Sequence, residues 1–534
     1  MANKSFSRRG FVAGAGAAVF AAATSRKGFS ATAQETRVTV YPTAEIGTIS
    51  SLLHGSFAEH LGSCVYGGLW VGRNSSIPNI EGFRKQAIDD LKALGIPVLR
   101  WPGGCFADDY HWRDGIGPVE KRPKTVNIHW GNYTEDNSFG THEFIRLCRL
   151  IGAEPYLAAN LGSGTPEEMR DWMEYCNYPS GSSLSDERAA NGSPEPFNVR
   201  YWGIGNENWG CGGNMTPQYY ADVYRRFRTY ARAFGETRPF TIACGPSGND
   251  VAWTRGFMES VIARGPGSLP NGWAMHFYSN GRDVPTKFTV ENMQAQLSSF
   301  AQMEEAIRIQ RGLLDSYLSA IARRSTQGGP NRPTPAVHLI IDEWGVWDRM
   351  IPEEEKQYGR LWMQSTVRSA VAAAMGLNVF HRQADKLYMC NIAQTVNVLQ
   401  SVLLAHGNNC VKTTTYYAFE LQKPHRDKIS VRTETGDTSP LGISLSASRK
   451  DNELVVTFVN PKHDVHMKVN CSLAGTRAVS ARAQLLHHPD YNACNTFENP
   501  NTVVPKDHPV SAANERVQLE LPPISIATAI IRLA

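Results

Sequence analysis

Residues 199–213 read VRYWGIGNENWGCGG. An apolar run from Val199 to Ile204 stops at Gly205, and the chain then presents Asn206 and Glu207. An apolar run of this length, ended by a glycine, is typical of a strand that is buried on both faces, as strands of parallel sheets are. The stretch therefore predicts a parallel strand that carries an amide and a carboxyl group to its C-terminal end.

Seven further apolar runs lie between about residues 51 and 403, and segments with helical spacing alternate with them. They are SLLHGSFAEHL (51–61), IPVLRWPGG (96–104), EPYLAANLG (154–162), PFTIACGPS (239–247), GWAMHFYS (272–279), AVHLIIDEWG (336–345) and DKLYMCNIAQTV (385–396). Eight strand–helix repeats favour an α/β fold of the (β/α)8 TIM-barrel type over the alternative of a doubly wound parallel sheet.

The pattern changes after the last of these runs. Short alternating or β-branched runs, such as ELVVTFVNP and ISIATAIIRL, are separated there by Pro, Gly, Asn and Asp. This pattern predicts a C-terminal antiparallel β-sandwich of the jelly-roll type. Residues 34–50 alternate in the same way and are predicted to add an N-terminal strand to it. We therefore predict a barrel at 51–403 and a β-sandwich at 404–534.

Residues 1–33 are predicted to form a twin-arginine signal peptide. A basic head with Arg8 and Arg9 precedes an Ala- and Gly-rich stretch, and residues 31–33 (Ala-Thr-Ala) fit a cleavage site. A disordered basic tail and a membrane anchor are the alternatives. This interpretation predicts export by the twin-arginine route to the periplasm or the outside of the cell, with no membrane association after cleavage.

Charge and cysteine content exclude several classes of partner. Removing residues 1–33, which carry five basic residues and no acidic ones, changes the formal charge from +4 to −1. No basic excess is then left to neutralise phosphates, so we expect no nucleic-acid partner. The ten cysteines form no CxxC pair, which argues against a zinc ribbon and thioredoxin chemistry. We expect neither a metal nor a cofactor.

Polar residues at the strand ends indicate where chemistry would occur, because the loops of such a barrel converge at the C-terminal ends of its strands. These residues are Glu59, His60, Asn206, Glu207, His276, Tyr278, Asp342, Glu343 and Gln394. Two carboxyl groups facing a sugar bond suffice for its hydrolysis, and their mutual repulsion raises the pKa of one of them. Flat aromatic side chains in or near the same loops suit sugar rings: Trp101, Trp130, Trp209, Tyr278, Trp344 and Trp347.

Structural interpretations of these residues stay open. Glu207 could cap the next helix or pair with Arg100, and His276 could be an ordinary core histidine. Individual tryptophans pack in cores more often than they bind ligands, and Glu59 could also be structural. A catalytic interpretation of Glu207 is nevertheless favoured, because an asparagine precedes it and a second glutamate, Glu343, ends another strand.

Four motifs together resemble glycoside hydrolase family 51, the α-L-arabinofuranosidases. They are RWPGGCFADDYHWRDGIGP (100–118), YWGIGNENWGCGG (201–213), HFYS (276–279) and IDEWGVW (341–347). The resemblance implies a retaining double displacement in which Glu207 is the general acid/base and Glu343 the nucleophile. It implies release of terminal non-reducing α-L-arabinofuranosyl residues from plant polysaccharides or oligosaccharides.

The resemblance also implies which residues bind the sugar. Asn206 is similar to the residue that binds the 2-hydroxyl group, and Glu59, His276, Tyr278 and Gln394 match positions that orient the sugar or the nucleophile. Trp130 and Cys105 complete the predicted binding set, listed in full as Glu59, Cys105, Trp130, Asn206, His276, Tyr278 and Gln394.

One position departs from the family pattern. Many members have Asn where this chain has Cys105, which puts one sugar contact in doubt. Cys211 lies in another loop of the same rim; we expect two free thiols, with a Cys105–Cys211 disulfide as the alternative. The resemblance further implies a homo-oligomer, often a hexamer.

Two other functions remain as alternatives at this point. One is another retaining barrel glycosidase, such as a β-xylosidase or an endoglucanase. The other is a secreted carbohydrate-binding protein without activity, against which the presence of both Glu207 and Glu343 argues.

Overall fold

Eight parallel strands close into a barrel in the computed structural model, which describes residues 32–325 and 336–534. In chain order they are Gly55–Phe57, Val98–Trp101, Glu154–Ala159, Tyr201–Ile204, Phe240–Ser247, Gly272–Asn280, His338–Trp347 and Leu387–Ala393. The eighth strand pairs with the first, with Asn391 opposite Gly55. This closure confirms the predicted (β/α)8 barrel and excludes the open, doubly wound sheet.

Helices alternate with the barrel strands, as predicted. The α-helices of the described residues are Lys85–Leu94, Thr141–Ile151, Pro166–Asn177, Ser183–Ala190, Pro217–Tyr230, Val251–Ile262, Val290–Ser325, Pro352–Tyr358, Val367–Arg382 and Thr414–Gln422. Local signals set their ends: Thr165 accepts a hydrogen bond from the backbone of Glu168 at one N-terminus, and Gly95 adopts φ 69° at one C-terminus. None of these helices is long and apolar enough to cross a membrane.

The N-terminal end of the barrel is filled by side chains. One buried cluster takes residues from the first three positions of seven strands: Val98, Tyr156, Tyr201, Phe240, Ile242, Ala274, Ile340 and Met389. Close packing of this kind makes the barrel a core and not a pore. The predicted site residues lie towards the opposite, C-terminal ends of the strands or in the loops that follow them.

A ten-stranded sheet forms the second domain. From one edge to the other its strands are Lys506–His508, Ala478–His487, Ser525–Leu533, Glu453–Asn460, Ser444–Lys450, Ile429–Thr435, Thr32–Thr48, Val465–Leu473, Arg516–Leu521 and Val510–Ala513. The sheet encloses a core of its own. The predicted C-terminal β domain is confirmed.

One pairing of this sheet differs from the antiparallel prediction. Thr32–Thr48 pairs antiparallel with Ile429–Thr435 but parallel with Val465–Leu473. A strand that comes from the distant N-terminal part of the chain is not joined to its neighbours by hairpins, so its direction is free. A hairpin and the helix Thr414–Gln422 precede Ile429–Thr435, and the boundary between residues 403 and 404 stays a prediction.

Three buried histidines join the barrel to the sheet. His54 Nε2 lies 3.0 Å from His381 Nε2, and His381 Nδ1 lies 3.1 Å from Ser446 Oγ. His425 Nδ1 lies 2.8 Å from Ser448 Oγ. Burial lowers the pKa of His425 to about 3 and those of His54 and His381 well below their usual range. These imidazoles are therefore neutral at neutral pH.

Candidate active site

Glu207 and Glu343 meet at the C-terminal end of the barrel. Glu207 follows the fourth strand, and Glu343 lies in the seventh strand. One oxygen of each carboxyl group and the Nδ1 atom of His276 all lie within 4.8 Å of one another. Glu207 has φ 43°, a left-handed conformation that turns the chain sharply just after the strand. Glu207 and Glu343, which are 136 positions apart in the sequence, therefore lie in one depression at this end of the barrel.

The Glu343 carboxylate is held by two strong donors. Arg100 Nη1 donates to its Oε1 at 2.7 Å, and the Tyr278 hydroxyl donates to its Oε2 at 2.7 Å. Burial would raise the pKa of Glu343, but the charges of His276 and Arg100 and the hydrogen bonds from Arg100 and Tyr278 lower it below its usual value. The lowered pKa keeps the Glu343 carboxyl group ionised at neutral pH.

Arg100 does not pair with Glu207, which was one structural alternative for that glutamate. Its guanidinium contacts Glu343 and, through Nε at 3.2 Å, Asp342. Its Nη2 donates to Asn206 Oδ1 at 2.6 Å. Because the amide oxygen of Asn206 is occupied in this way, the orientation of the amide is determined and its Nδ2 is left to face other groups.

Glu207 contacts His276 on one side. Its Oε1 lies 2.8 Å from His276 Nδ1, which is also 3.5 Å from Glu343 Oε2. Burial lowers the pKa of His276, but the charge of Glu343 and the hydrogen bond to Glu207 outweigh it and raise this pKa above its ordinary value. The Glu207 side chain is 19% exposed, against 7% for Glu343. Glu207 is thus the carboxyl group that solvent reaches more easily.

Glu59 organises the other side of this depression. Its Oε1 accepts from the backbone of Gly104 at 3.1 Å and from Trp130 Nε1 at 3.0 Å, and its Oε2 accepts from Gln394 Nε2 at 3.0 Å. Burial and the charge of Glu343 raise the pKa of Glu59 to about 7. Three predicted binding residues, from three different loops, therefore form one connected polar group.

Gly104 lies against this polar group. A Cβ atom there would stand 2.9 Å from Glu343 Oε1 and 3.4 Å from Glu59 Oε1. The first distance is shorter than a non-bonded contact allows, so the Pro-Gly-Gly motif provides the space that both carboxyl groups need.

Asp108, which was not among the residues predicted from the sequence, ties three rim loops together. Its Oδ2 accepts from the backbone of Asn206 at 2.8 Å and from Asn208 Nδ2 at 3.2 Å. Its Oδ1 accepts from the backbone of Leu161 at 2.8 Å and of Gly162 at 2.9 Å. Burial raises its pKa to about 7. The pair Asp108-Asp109 within the 100–118 motif was the sequence signal that could have identified this residue.

Cys105 and Cys211 form a disulfide, so the expectation of two free thiols was wrong. The loops after the second and fourth strands bring their Cα atoms to 5.5 Å, within the range that a disulfide requires. A sequence separation of 106 residues conceals this proximity. The other eight cysteines are free thiols. The Cys105 thiol is therefore not a donor to a sugar in this state.

Besides Trp130, which donates to Glu59, the predicted tryptophans divide into two pairs. Trp101 and Trp344 are fully buried and pack in the core. This agrees with the structural interpretation of these two residues as core tryptophans. Trp209 and Trp347 line a cavity of about 600 Å³, whose lining also includes Glu207, His276 and Tyr278. This volume lies within the usual range of ligand sites, about 300–1,000 Å³. The cavity therefore lies beside Glu207.

Among residues 32–325 and 336–534, two groups of side chains have the donor types of a metal site. One consists of Glu207, His276 and Glu343, and the other of Cys105, Glu207 and Cys211. The second group requires a free Cys pair, because a thiolate is the ligand form of cysteine.

A (β/α)8 barrel with paired carboxyl groups at its C-terminal end has the architecture of a glycosidase. Comparison with known proteins identifies the family. Residues 90–295 match the model of the α-L-arabinofuranosidase 1 domain, and residues 342–525 match that of the α-L-arabinofuranosidase C-terminal domain. The chain belongs to the α-L-arabinofuranosidases of glycoside hydrolase family 51 and has their enzymatic activity.

Individual relatives agree with this assignment. An intracellular exo-α-L-arabinofuranosidase of Bacteroides ovatus is 40% identical over 508 residues, which are 92% of this chain and 94% of the relative. The crystal structure of the family 51 arabinofuranosidase of Xanthomonas axonopodis pv. citri superimposes with a TM-score of 0.85 at 36% identity, covering 93% of this chain and 100% of that one. The arabinose complex of the Thermotoga maritima α-L-arabinofuranosidase gives a TM-score of 0.80 at 28% identity, with the same coverage.

The prediction of export by the twin-arginine route, to the periplasm or the outside of the cell, is wrong. It conflicts with the Bacteroides relative, which is named an intracellular enzyme. The pattern behind the prediction was weakly specific, because any basic N-terminus followed by small residues satisfies it. Residues 1–31, on which most of it rested, lie outside the described residues.

Proposed function

We propose that this arabinofuranosidase removes terminal non-reducing α-L-arabinofuranosyl residues by a retaining double displacement. The observation that carries the proposal is the approach of a Glu207 oxygen and a Glu343 oxygen to within 4.8 Å. Retaining glycosidases separate their carboxyl groups by about 5–5.5 Å, whereas inverting ones need about 6.5–9.5 Å to admit a water molecule between carboxylate and sugar.

Glu343 acts as the nucleophile. Its lowered pKa keeps it ionised, and Arg100 and Tyr278 hold one oxygen each. The free lone pairs attack the anomeric carbon, and the bond to the leaving oxygen breaks as the bond to Glu343 forms. The product of this first step is a covalent glycosyl-enzyme.

Glu207 acts as the acid and then as the base. It protonates the departing oxygen in the first step and takes a proton from the attacking water in the second. Its greater exposure and its position at the wall of the 600 Å³ cavity support this role, because leaving group and water must both reach it. His276 keeps the carboxyl group in place through the contact with Oε1.

The remaining predicted residues bind the arabinofuranosyl ring. Asn206 Nδ2, free of Arg100, is assigned to the 2-hydroxyl group. Glu59, Gln394 and Trp130 are assigned to the other hydroxyl groups, and their mutual hydrogen bonds support this because they place all three in one wall. Cys105 is assigned a role only through its backbone, because its sulfur is bonded to that of Cys211.

We also propose that the substrates are arabinose-bearing plant polysaccharides or oligosaccharides. The cavity beside Glu207 is lined by two partly exposed tryptophans, Trp209 and Trp347, which suit the faces of sugar rings in a leaving group. Assembly into a homo-oligomer, such as a hexamer, remains a prediction that light scattering would test.

Replacement of the two glutamates tests the mechanism. Glu343→Ala is expected to abolish turnover, and azide is expected to restore it and give a product of inverted configuration. Glu207→Ala is expected to slow substrates with poor leaving groups far more than activated aryl glycosides, by about 100-fold or more. Glu353→Ala, at an exposed glutamate in the helix Pro352–Tyr358 that follows the seventh strand, is the matched control. Equal losses for good and poor leaving groups would remove the acid role from Glu207.

A further inference from the structure

We propose that the reduced form of this enzyme binds a zinc ion through Cys105, Cys211 and Glu207. Two loops contribute these residues, one after the second strand and one after the fourth. The two Sγ atoms and a Glu207 oxygen all lie within 4.8 Å of one another. Each of the three residues is partly exposed, so an ion from solvent can reach the site.

The geometry needs little adjustment for zinc. Zn–S bonds of about 2.3 Å and Zn–O bonds of about 2.1 Å in a tetrahedron separate sulfur from oxygen by about 3.6 Å and sulfur from sulfur by about 3.8 Å. Cys211 Sγ already lies 3.6 Å from Glu207 Oε2. Once reduced, the two sulfurs must move apart from bonding distance, and side-chain rotation allows this with the Cα atoms at 5.5 Å. Cys105 Sγ starts within 4.8 Å of the Glu207 oxygen.

The surroundings suit a metal ligand set. The other Glu207 oxygen is held by His276 Nδ1 at 2.8 Å, and Asn206 Nδ2 lies 3.9 Å from Cys211 Sγ. Outer contacts of this kind orient ligands and, for an amide donor beside sulfur, stabilise a thiolate. Asp108 ties the Asn206 backbone to the loops after the second and third strands through its own hydrogen bonds. The loops are therefore not released when the disulfide is reduced.

Reduction is what creates the ligands. A dithiol reductant supplies two electrons and two protons; the S–S bond of the enzyme breaks, two thiols form, and the reductant becomes a disulfide. Zn²⁺ then binds two thiolates and the Glu207 carboxylate, and the two thiol protons pass to solvent. The fourth position takes a water molecule. In the oxidised form neither sulfur is a thiolate, so the site has a single strong ligand.

Zinc binding is expected to stop catalysis. A carboxylate that is bound to zinc carries no proton and cannot protonate a leaving group. This consequence rests on the proposed acid/base role of Glu207, whereas the existence of the site does not.

Metal titration of the two redox forms tests the proposal. The enzyme is reduced with a dithiol, freed of reductant without air, and compared with the oxidised enzyme; thiol counting verifies each state. We expect the reduced form to bind one Zn²⁺ per chain in calorimetry, about 100-fold or more tighter than the oxidised form. Co²⁺ is expected to give thiolate-to-metal charge-transfer absorbance in the reduced form alone. Turnover of the reduced form is expected to fall by about 100-fold with Zn²⁺ and to return with a chelator.

Two variants make the result specific. Cys211→Ser is expected to lose the absorbance and the tight binding. Cys410→Ser, which removes another partly buried free thiol, is expected to keep both. Equal zinc affinity in the oxidised and reduced enzymes, or tight binding that survives in Cys211→Ser, overturns the site. Tight zinc binding with unchanged turnover would leave the site in place but overturn the inhibition and, with it, the acid/base role of Glu207.

Discussion

Tyr278→Phe tests how Glu343, the proposed nucleophile, is held. The Tyr278 hydroxyl donates to Glu343 Oε2 at 2.7 Å. Burial and the charge of Glu343 raise the pKa of Tyr278 well above 10, so this hydroxyl is a proton donor at every working pH. A hydrogen bond to a charged group is worth about 1.5–3 kcal/mol, which corresponds to a loss of about 10- to 150-fold in kcat/KM.

The pH dependence separates this effect from a general disturbance. Losing a donor to the ionised carboxylate raises the pKa of Glu343, so the acidic limb of kcat/KM is expected to move to higher pH. The assay is the initial rate on 4-nitrophenyl α-L-arabinofuranoside across the acidic range. Tyr110→Phe is the matched control, because the buried Tyr110 hydroxyl has no hydrogen-bond partner among the described residues.

A kcat/KM for Tyr278→Phe within about twofold of that of the parent enzyme would refute a hydrogen bond of this strength. An acidic limb that stays where it is would do the same, and either result would mean that Arg100 and His276 suffice to hold Glu343. An equal loss of activity in Tyr110→Phe would show that the effect of Tyr278→Phe is a general disturbance of the fold.

Two further predictions concern stability. The pKa of His425 is about 3 in the folded protein and 6.5 ordinarily, so the unfolded chain binds a proton that the folded chain excludes as the pH falls below 6.5. Protonation of this residue in the unfolded chain should lower the free energy of unfolding by about 1.4 kcal/mol between about pH 7.5 and 5.5. In urea unfolding, His425→Gln should remove this contribution to the pH dependence. A pH dependence that is the same in His425→Gln and in the parent enzyme would contradict the prediction. Asp108→Asn replaces one acceptor oxygen with an NH2 donor that faces N–H donors, so it should destabilise the protein by about 1–3 kcal/mol and lower kcat/KM. Thermal unfolding and initial rates are measured beside those of Asp109→Asn, and equal effects in both variants would count against the proposed role of Asp108.

Much of the fold was predictable because its signals are local. Apolar runs and helical spacing depend on a few consecutive residues, and they located all eight barrel strands from Gly55–Phe57 to Leu387–Ala393. The rule that chemistry collects at the C-terminal ends of parallel strands then selected Glu59, Glu207 and Glu343. The structure brings these three together with Gln394 and Trp130.

The partners of these residues could not be predicted in the same way. Arg100 contacts Glu343 across 243 positions, and Asp108 collects donors from two other loops. The pairing of Cys105 with Cys211 also joins two loops that the sequence keeps apart.

Strand periodicity states which residues are buried and where a strand ends, and for this chain it was enough to specify the barrel and its row of carboxyl groups. Closing the barrel sets the register between strands, and the register decides which side chains from distant strands come within hydrogen-bonding distance. Because charge pairing, pKa and disulfide formation depend on distances of a few ångströms, they are defined only in the closed barrel, in which the first strand, Gly55–Phe57, pairs with the eighth, Leu387–Ala393.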